Sequence, residues 1–386
     1  MTLRTLSAAL AIAITLSGCQ AARLNPPQDA EILADADFVV DKSEIVVVTP
    51  SQLEARNLVR RASTLGYALI ASDDLDAMGL TMLTLRIPAN QDGASAIREL
   101  EGLEPGVTAG VNHAYVPQAQ AAGSRSRDYA SDLLQWQQPG CRTRVPIGVL
   151  DAKLVGPTRR EVTTANFSRS GASEEALHGT QIVTLIKESG FLRGPRIFHA
   201  DVVSPSPGVG DTASVDSMLR GLNWMLRNDV RLINVSLAGP YNKILDRAFA
   251  NAARSGAVIV APAGNAGPRQ TVRYPAAFAS TIAVTAVDAN ARIYRNAVRG
   301  KKIDFSAPGV DVAIKLPARR VYATGTSFAA PFVTMRIAAD PKLSSMKRAS
   351  AIRQQLAGSV ADLGAAGHDP VYGYGLIRAP RACSTS

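Results

Sequence analysis

Ser327 lies in the string Gly325-Thr326-Ser327-Phe328-Ala329-Ala330-Pro331. Small residues lead into the serine and a helix opens there, so backbone rather than a floppy loop holds the hydroxyl. The free amides and dipole of a helix start favour negative charge nearby. Such a site suits a nucleophile that attacks a carbonyl and must tolerate an oxyanion. A serine hydroxyl is a weak nucleophile and needs a base beside it. The chain has four histidines. His178 differs from His113, His199 and His368, which read as structural, because His178-Gly179-Thr180 opens an apolar helical run of Ile182, Val183, Leu185 and Ile186. Asp151, Ser236 and Asn265 each follow an apolar, strand-like stretch. In parallel sheets functional residues gather at such carboxyl ends.

The elements that must carry these residues read as α/β. Strands are predicted over Val145 to Leu150, Ile197 to Val203, Leu232 to Leu237, Ala257 to Ala261 and Thr281 to Val287. Helices are predicted over Ser214 to Asn228 and Lys243 to Ser255, and a loop over Ser204 to Asp211. Apolar strands alternating with helices imply a mostly parallel sheet covered on both faces. Before this region, residues 43–117 give the order β-α-β-β-α-β of a small α+β, ferredoxin-like unit. Its last strand is predicted over Gly106 to Val116, and Ser51 can cap its first helix. Residues 118–140 have no apolar period and read as an exposed linker.

The chain has 386 residues, 46% of them hydrophobic, enough for more than one buried core. Its formal charge is +10. The basic residues are dispersed and no run of them alternates with aromatics, so a nucleic-acid partner is not expected. Arg4 followed by the apolar stretch Leu6 to Leu16 reads as a secretory signal over residues 1–18, too short to span a bilayer comfortably. Leu16-Ser17-Gly18-Cys19 resembles a bacterial lipobox, which implies lipid attachment at Cys19, a tether over residues 19–42 and, with Gln20 following, the outer membrane. An ordinary signal peptide is the other reading. Cys141 and Cys383 remain in an exported chain, where a disulfide between them or two separate thiols are the alternatives.

Four segments resemble the subtilisin-like serine proteases: Ile147-Gly-Val-Leu-Asp151, His178-Gly179-Thr180, Ala263-Gly264-Asn265 and the Ser327 string. The order Asp, His, Ser is that of subtilisin. The resemblance implies a subtilisin-like, mostly parallel sheet with helices on both faces over residues 141–386, and serine endopeptidase activity on polypeptides. By the same resemblance His178 is the general base for Ser327, Asp151 orients the imidazole, and the Asn265 amide with the Ser327 N–H binds the oxyanion. Ser236, Leu237, Ala238 and Gly239 would pair with an extended substrate as an added strand. Residues 43–117 would be a propeptide-type inhibitory domain whose tail lies in the cleft. No acidic cluster has calcium-ligand spacing, and neither metal nor cofactor is expected. One departure stands out: the family usually has a hydroxyl residue and then glycine after the aspartate, and here Ala152 and Lys153 follow Asp151. That motivates a rival reading, a catalytically weak or inactive peptide-binding protein of the same fold.

Overall fold

The computed structural model describes residues 38–117, 120–121, 128–156, 161–169, 177–206, 210–317, 319–381 and 383. The expected signal segment, Cys19 and most of the tether lie outside the described residues.

Near the N-terminus, β1 (Glu44–Thr49), β2 (Ala68–Leu75), β3 (Leu80–Arg86) and β4 (Thr108–Val111) form an antiparallel sheet in the order β2-β3-β1-β4. Ser51 and Asp92 cap the helices Gln52–Thr64 and Gly93–Leu103 by accepting from Leu53 N and Ser95 N. Side chains alternate between the two faces of a strand, and here both faces are buried. Ile45, Val47, Leu83 and Leu85 meet Leu58 and Leu100 of these helices. Val46, Val48, Leu80 and Met82 instead share a core with Leu219, Leu222, Ile244 and Phe249 of two later helices.

The stretch expected as one strand over Gly106 to Val116 is two. Asn112 and His113 break it, and β5 (Ala114–Pro117) leaves the first sheet. It runs antiparallel between β13 (Gly210–Ser214) and β15 (Leu237–Ala238). The buried break is held by its new neighbours: Asn112 Nδ2 donates to Asp216 Oδ1 at 2.9 Å, and His113 Nδ1 lies 3.1 Å from Asn242 Nδ2. β6 (Gln120–Ala121) pairs with β20 (Arg320–Thr324), which pairs in turn with β19 (Val312–Lys315).

The larger unit is a seven-stranded sheet. Its order is β18 (Phe305–Pro308), β17 (Thr281–Val287), β16 (Val258–Pro262), β14 (Leu232–Val235), β8 (Ile147–Asp151), β11 (Ile197–Asp201) and β9 (Val162–Asn166). Every neighbouring pair is parallel. Such a sheet must be covered on both sides. Ile147, Val149, Val258 and Val260 pack with the helices Leu177–Glu188 and Thr326–Ala339. Leu150, Ile233, Val235 and Ile259 pack with Val215–Arg227 and Lys243–Arg254.

Two further sequence expectations need correction. The segment read as a loop over Ser204 to Asp211 begins in β12 (Val203–Ser206), which pairs with β13. The stretch read as an exposed linker contains the helix Ala130–Leu134, with Leu134 and Trp136 buried and the Trp136 ring 5.0 Å from Phe191. Tyr129, Leu134 and Trp136 are apolar without a period, so only tertiary packing reveals their burial. Just beyond, β7 (Cys141–Arg142) pairs with β10 (Leu192–Arg193), and Cys141 is disulfide-bonded to Cys383.

Candidate active site

Asp151 closes β8 and is fully buried. Its Oδ1 accepts from its neighbour's Ala152 N–H at 2.7 Å and lies 2.7 Å from His178 Nδ1. His178 enters the helix Leu177–Glu188 from its first turn, and its ring centroid is 5.4 Å from that of Phe328, the residue after Ser327. Asp151 and His178 are thus brought together from two separate elements, and Phe328, the neighbour of Ser327, packs against the imidazole. His178 Nε2 has no hydrogen-bond partner among the described residues. The Ser327 hydroxyl donates instead to the Ser236 carbonyl at 3.4 Å. Catalytic hydrogen bonds often tighten only when substrate is bound.

Ser327 is placed by backbone. Gly325, with φ +154°, swings the chain from β20 into the helix Thr326–Ala339. Inside that helix Pro331 cannot donate to the carbonyl four residues earlier, that of Ser327. The Ser236 hydroxyl fills the gap, donating to Ser327 O at 3.2 Å. Ser236 is itself fixed, because Asn234 Nδ2 donates to its Oγ at 2.7 Å. Sequence reading placed Ser236 on the substrate edge and missed this second tie, although the proline signalled it.

Asn265 is oriented by Thr326. Its Oδ1 accepts from Thr326 N at 3.0 Å and from Thr326 Oγ1 at 2.9 Å. A backbone N–H can only donate, so the oxygen must face Thr326 and the NH₂ end points away from it. Thr326 Oγ1 also accepts from Gly264 N at 3.2 Å, locking the turn before Asn265.

The predicted substrate edge carries a strand of the chain itself. Leu237 faces Pro117 and Ala238 faces Val116. Gly239 is needed where the Tyr115 ring crosses it, since a Cβ there would lie 2.5 Å from Tyr115 Cδ1. The Tyr115 hydroxyl donates to Pro240 O at 2.9 Å.

Comparison with known proteins fits this geometry. The model of the Subtilase family matches residues 154–375, more than half of the chain. The chain belongs to the subtilase family. The match holds His178, Asn265 and Ser327 and begins three residues after Asp151. Among curated subtilase relatives, the minor extracellular protease Epr of Bacillus subtilis is 31% identical over 210 residues, 52% of this chain and 32% of Epr. Subtilisin DY of Bacillus licheniformis is 34% identical over 189 residues, 48% of this chain and 67% of that protein. The matched region thus spans about a third of Epr, and 47% of the thermostable alkaline protease of Halalkalibacterium halodurans. Among solved structures, fervidolysin of Fervidobacterium pennivorans, a keratinolytic enzyme related to subtilisin, superposes with a TM-score of 0.69 at 19% identity. That superposition covers 88% of this chain and 60% of fervidolysin, and it establishes the subtilisin-like α/β fold.

Around the subtilase site the departure after Asp151 has structural consequences. Asp151 Oδ2 is buried with no hydrogen-bond partner among the described residues. Lys153 is exposed, and its charge acts on Asp201, whose carboxyl burial pushes up to about 6. His199, predicted as structural, is fully buried beside the same turn, and burial pulls its imidazole down to about 4. No local signal marks it, because only the parallel pairing of β11 with β8 brings it to Ala152. Among the described residues no group of three or more His, Cys, Asp or Glu is placed to hold a metal ion. No described helix is long and apolar enough to cross a membrane.

Proposed function

We propose that this subtilase is a serine endopeptidase, made with an N-terminal inhibitory unit. The observation that carries the reading is the strand Ala114–Pro117, bound in extended form between β13 and β15 beside Ser327. A cleft that holds a polypeptide by main-chain pairing, next to a helix-mounted serine, suits peptide-bond cleavage.

The chemistry follows from the groups present. His178 Nε2 takes the Ser327 proton as Oγ attacks the scissile carbonyl. Asp151, bonded to Nδ1, holds the imidazole in the tautomer that leaves Nε2 as acceptor and stabilises its charged form. Asn265 Nδ2 and the Ser327 N–H stabilise the oxyanion. His178 then returns the proton to the leaving amine, and a water deprotonated by the same nitrogen hydrolyses the acyl-enzyme.

The N-terminal unit supplies the first substrate. Pro117 faces Leu237, next to Ser236, whose carbonyl accepts from the Ser327 hydroxyl, and Gln120 faces Thr324, three residues before Ser327. Self-processing then falls between Pro117 and Gln120. Names of the relatives support export, and the sequence of residues 1–19 supports a lipid anchor at Cys19 facing the periplasm or cell surface. Fluorophosphonate labelling tests the nucleophile: wild-type protein is labelled and Ser327→Ala is not. Equal labelling of both would remove Ser327 from the mechanism, and a folded wild type that stays whole and unlabelled would favour the peptide-binding alternative.

A further inference from the structure

We propose that His199 is a positioning residue for the Asp151–His178 pair, acting through the Ala152 carbonyl. The inference rests on the proposed peptidase chemistry.

Three bonds define the turn after Asp151. Val202 N donates to Asp151 O at 3.1 Å. Ala152 N donates to Asp151 Oδ1 at 2.7 Å. His199 Nε2 lies 3.0 Å from Ala152 O. A carbonyl only accepts, so Nε2 carries the proton and His199 donates. Burial keeps the ring neutral near pH 7, so Nδ1 bears no hydrogen, and it has no partner among the described residues.

The Ala152 carbonyl is where the two halves of the pair touch. A Cβ on Gly179 would lie 1.9 Å from Ala152 O and 3.3 Å from His199 Nε2. The helix carrying His178 therefore rests directly on that carbonyl. Gly179 blocks it from one side and His199 holds it from the other. Because Asp151 Oδ2 has no donor among the described residues, the carboxylate depends on the Ala152 peptide for its orientation. His199 stands in for the hydroxyl absent from position 152. Packing alone does not account for it: a branched aliphatic residue would fill this interior strand position without a bare, buried nitrogen. The charged groups around the turn are Asp151, Asp201 and Lys153, with Asp201 paired across the strands with Asp151.

The test uses the full chain and two substitutions of similar length. His199→Gln keeps a donor near the Nε2 position, and His199→Met removes it. His199→Met should lower kcat about 10-fold, the reach of one hydrogen bond, with KM within about twofold of wild type. His199→Gln should recover most of that loss. The strongly deshielded proton resonance of His178 Nδ1–H should broaden or move in His199→Met and return in His199→Gln. Should His199→Met fail to fold, His199→Asn takes its place, because its donor stops short of Ala152 O. Equal kcat and an unchanged resonance across the variants would overturn the inference. The resonance needs no working nucleophile, so a wild type that resists fluorophosphonate would defeat the peptidase reading without deciding the role of His199.

Discussion

Thr326→Val isolates the tether that aims Asn265. Valine matches threonine in shape, so the cavity stays filled while the hydroxyl is lost. Two bonds disappear: the one donated to Asn265 Oδ1 at 2.9 Å and the one accepted from Gly264 N at 3.2 Å. The Thr326 N–H still holds Asn265 Oδ1 at 3.0 Å. An amide torsion is broad, so with one anchor left the NH₂ group swings more widely about the oxyanion position. Losing an oxyanion donor outright costs about 3–4 kcal/mol, and losing one neutral hydrogen bond about 0.5–1.5 kcal/mol. We therefore expect kcat to fall about 3- to 10-fold with KM unchanged, well short of the roughly 100- to 1,000-fold expected for Asn265→Ala. Gly264 is buried, and its orphaned N–H should separately cost about 1–3 kcal/mol of stability. Steady-state hydrolysis of a chromogenic peptide and calorimetric melting read the two effects independently. A drop in kcat as deep as that of Asn265→Ala would refute the reasoning, because the hydroxyl itself would then have to reach the oxyanion. Lost stability with unchanged kcat would show that Thr326 serves Gly264 alone.

Mass spectrometry of mature wild-type protein should find a new N-terminus between residues 118 and 120, while Ser327→Ala stays whole; a wild-type cut outside residues 117–120 would break the register argument. The junction between the two units should respond to acid. His113 is fully buried there, and burial pulls its imidazole from 6.5 to about 4. A folded pKa below the unfolded one means its contribution is complete above about pH 6.5 and is lost as pH falls toward about 4, by at most roughly 3 kcal/mol. Protonation would also turn Nδ1 into a donor facing the Asn242 amide. After processing, the N-terminal piece should co-elute with the peptidase at neutral pH and separate near pH 5, and His113→Leu should remove that difference; a junction equally firm at both pH values would disprove it.

Much of the site was legible because its residues sit in short local strings: a serine after glycine at a helix start, a histidine opening an apolar helix, an aspartate ending an apolar strand. The cap at Ser51 likewise depends on neighbours in sequence. What sequence did not disclose is non-local. Ala114–Pro117 continues an apolar stretch, and only Asp216 and Asn242, over a hundred residues away, explain why the chain turns out of its first sheet at Asn112 and His113. His199 looks like any strand residue until β11 is laid beside β8. Leu134 and Trp136 show no period, and their burial depends on Phe191 and the core around it.

The proposed cut between Pro117 and Gln120 bears on where this protein works. The proposed acyl chain on Cys19 and the proposed nucleophile at Ser327 would lie on opposite sides of it. The disulfide links Cys141 to Cys383, so it closes a loop wholly within the downstream piece and does not bridge the cut. With the proposed anchor and cut, the peptidase would be held to the membrane through the face it shares with the first sheet: among the described residues, the apolar contacts of Val46, Val48 and Met82 and polar links such as Lys243–Glu101. The strength of that face would then decide whether the processed protein stays at its anchor or is shed, and the dissociation that opens the cleft would also set it adrift.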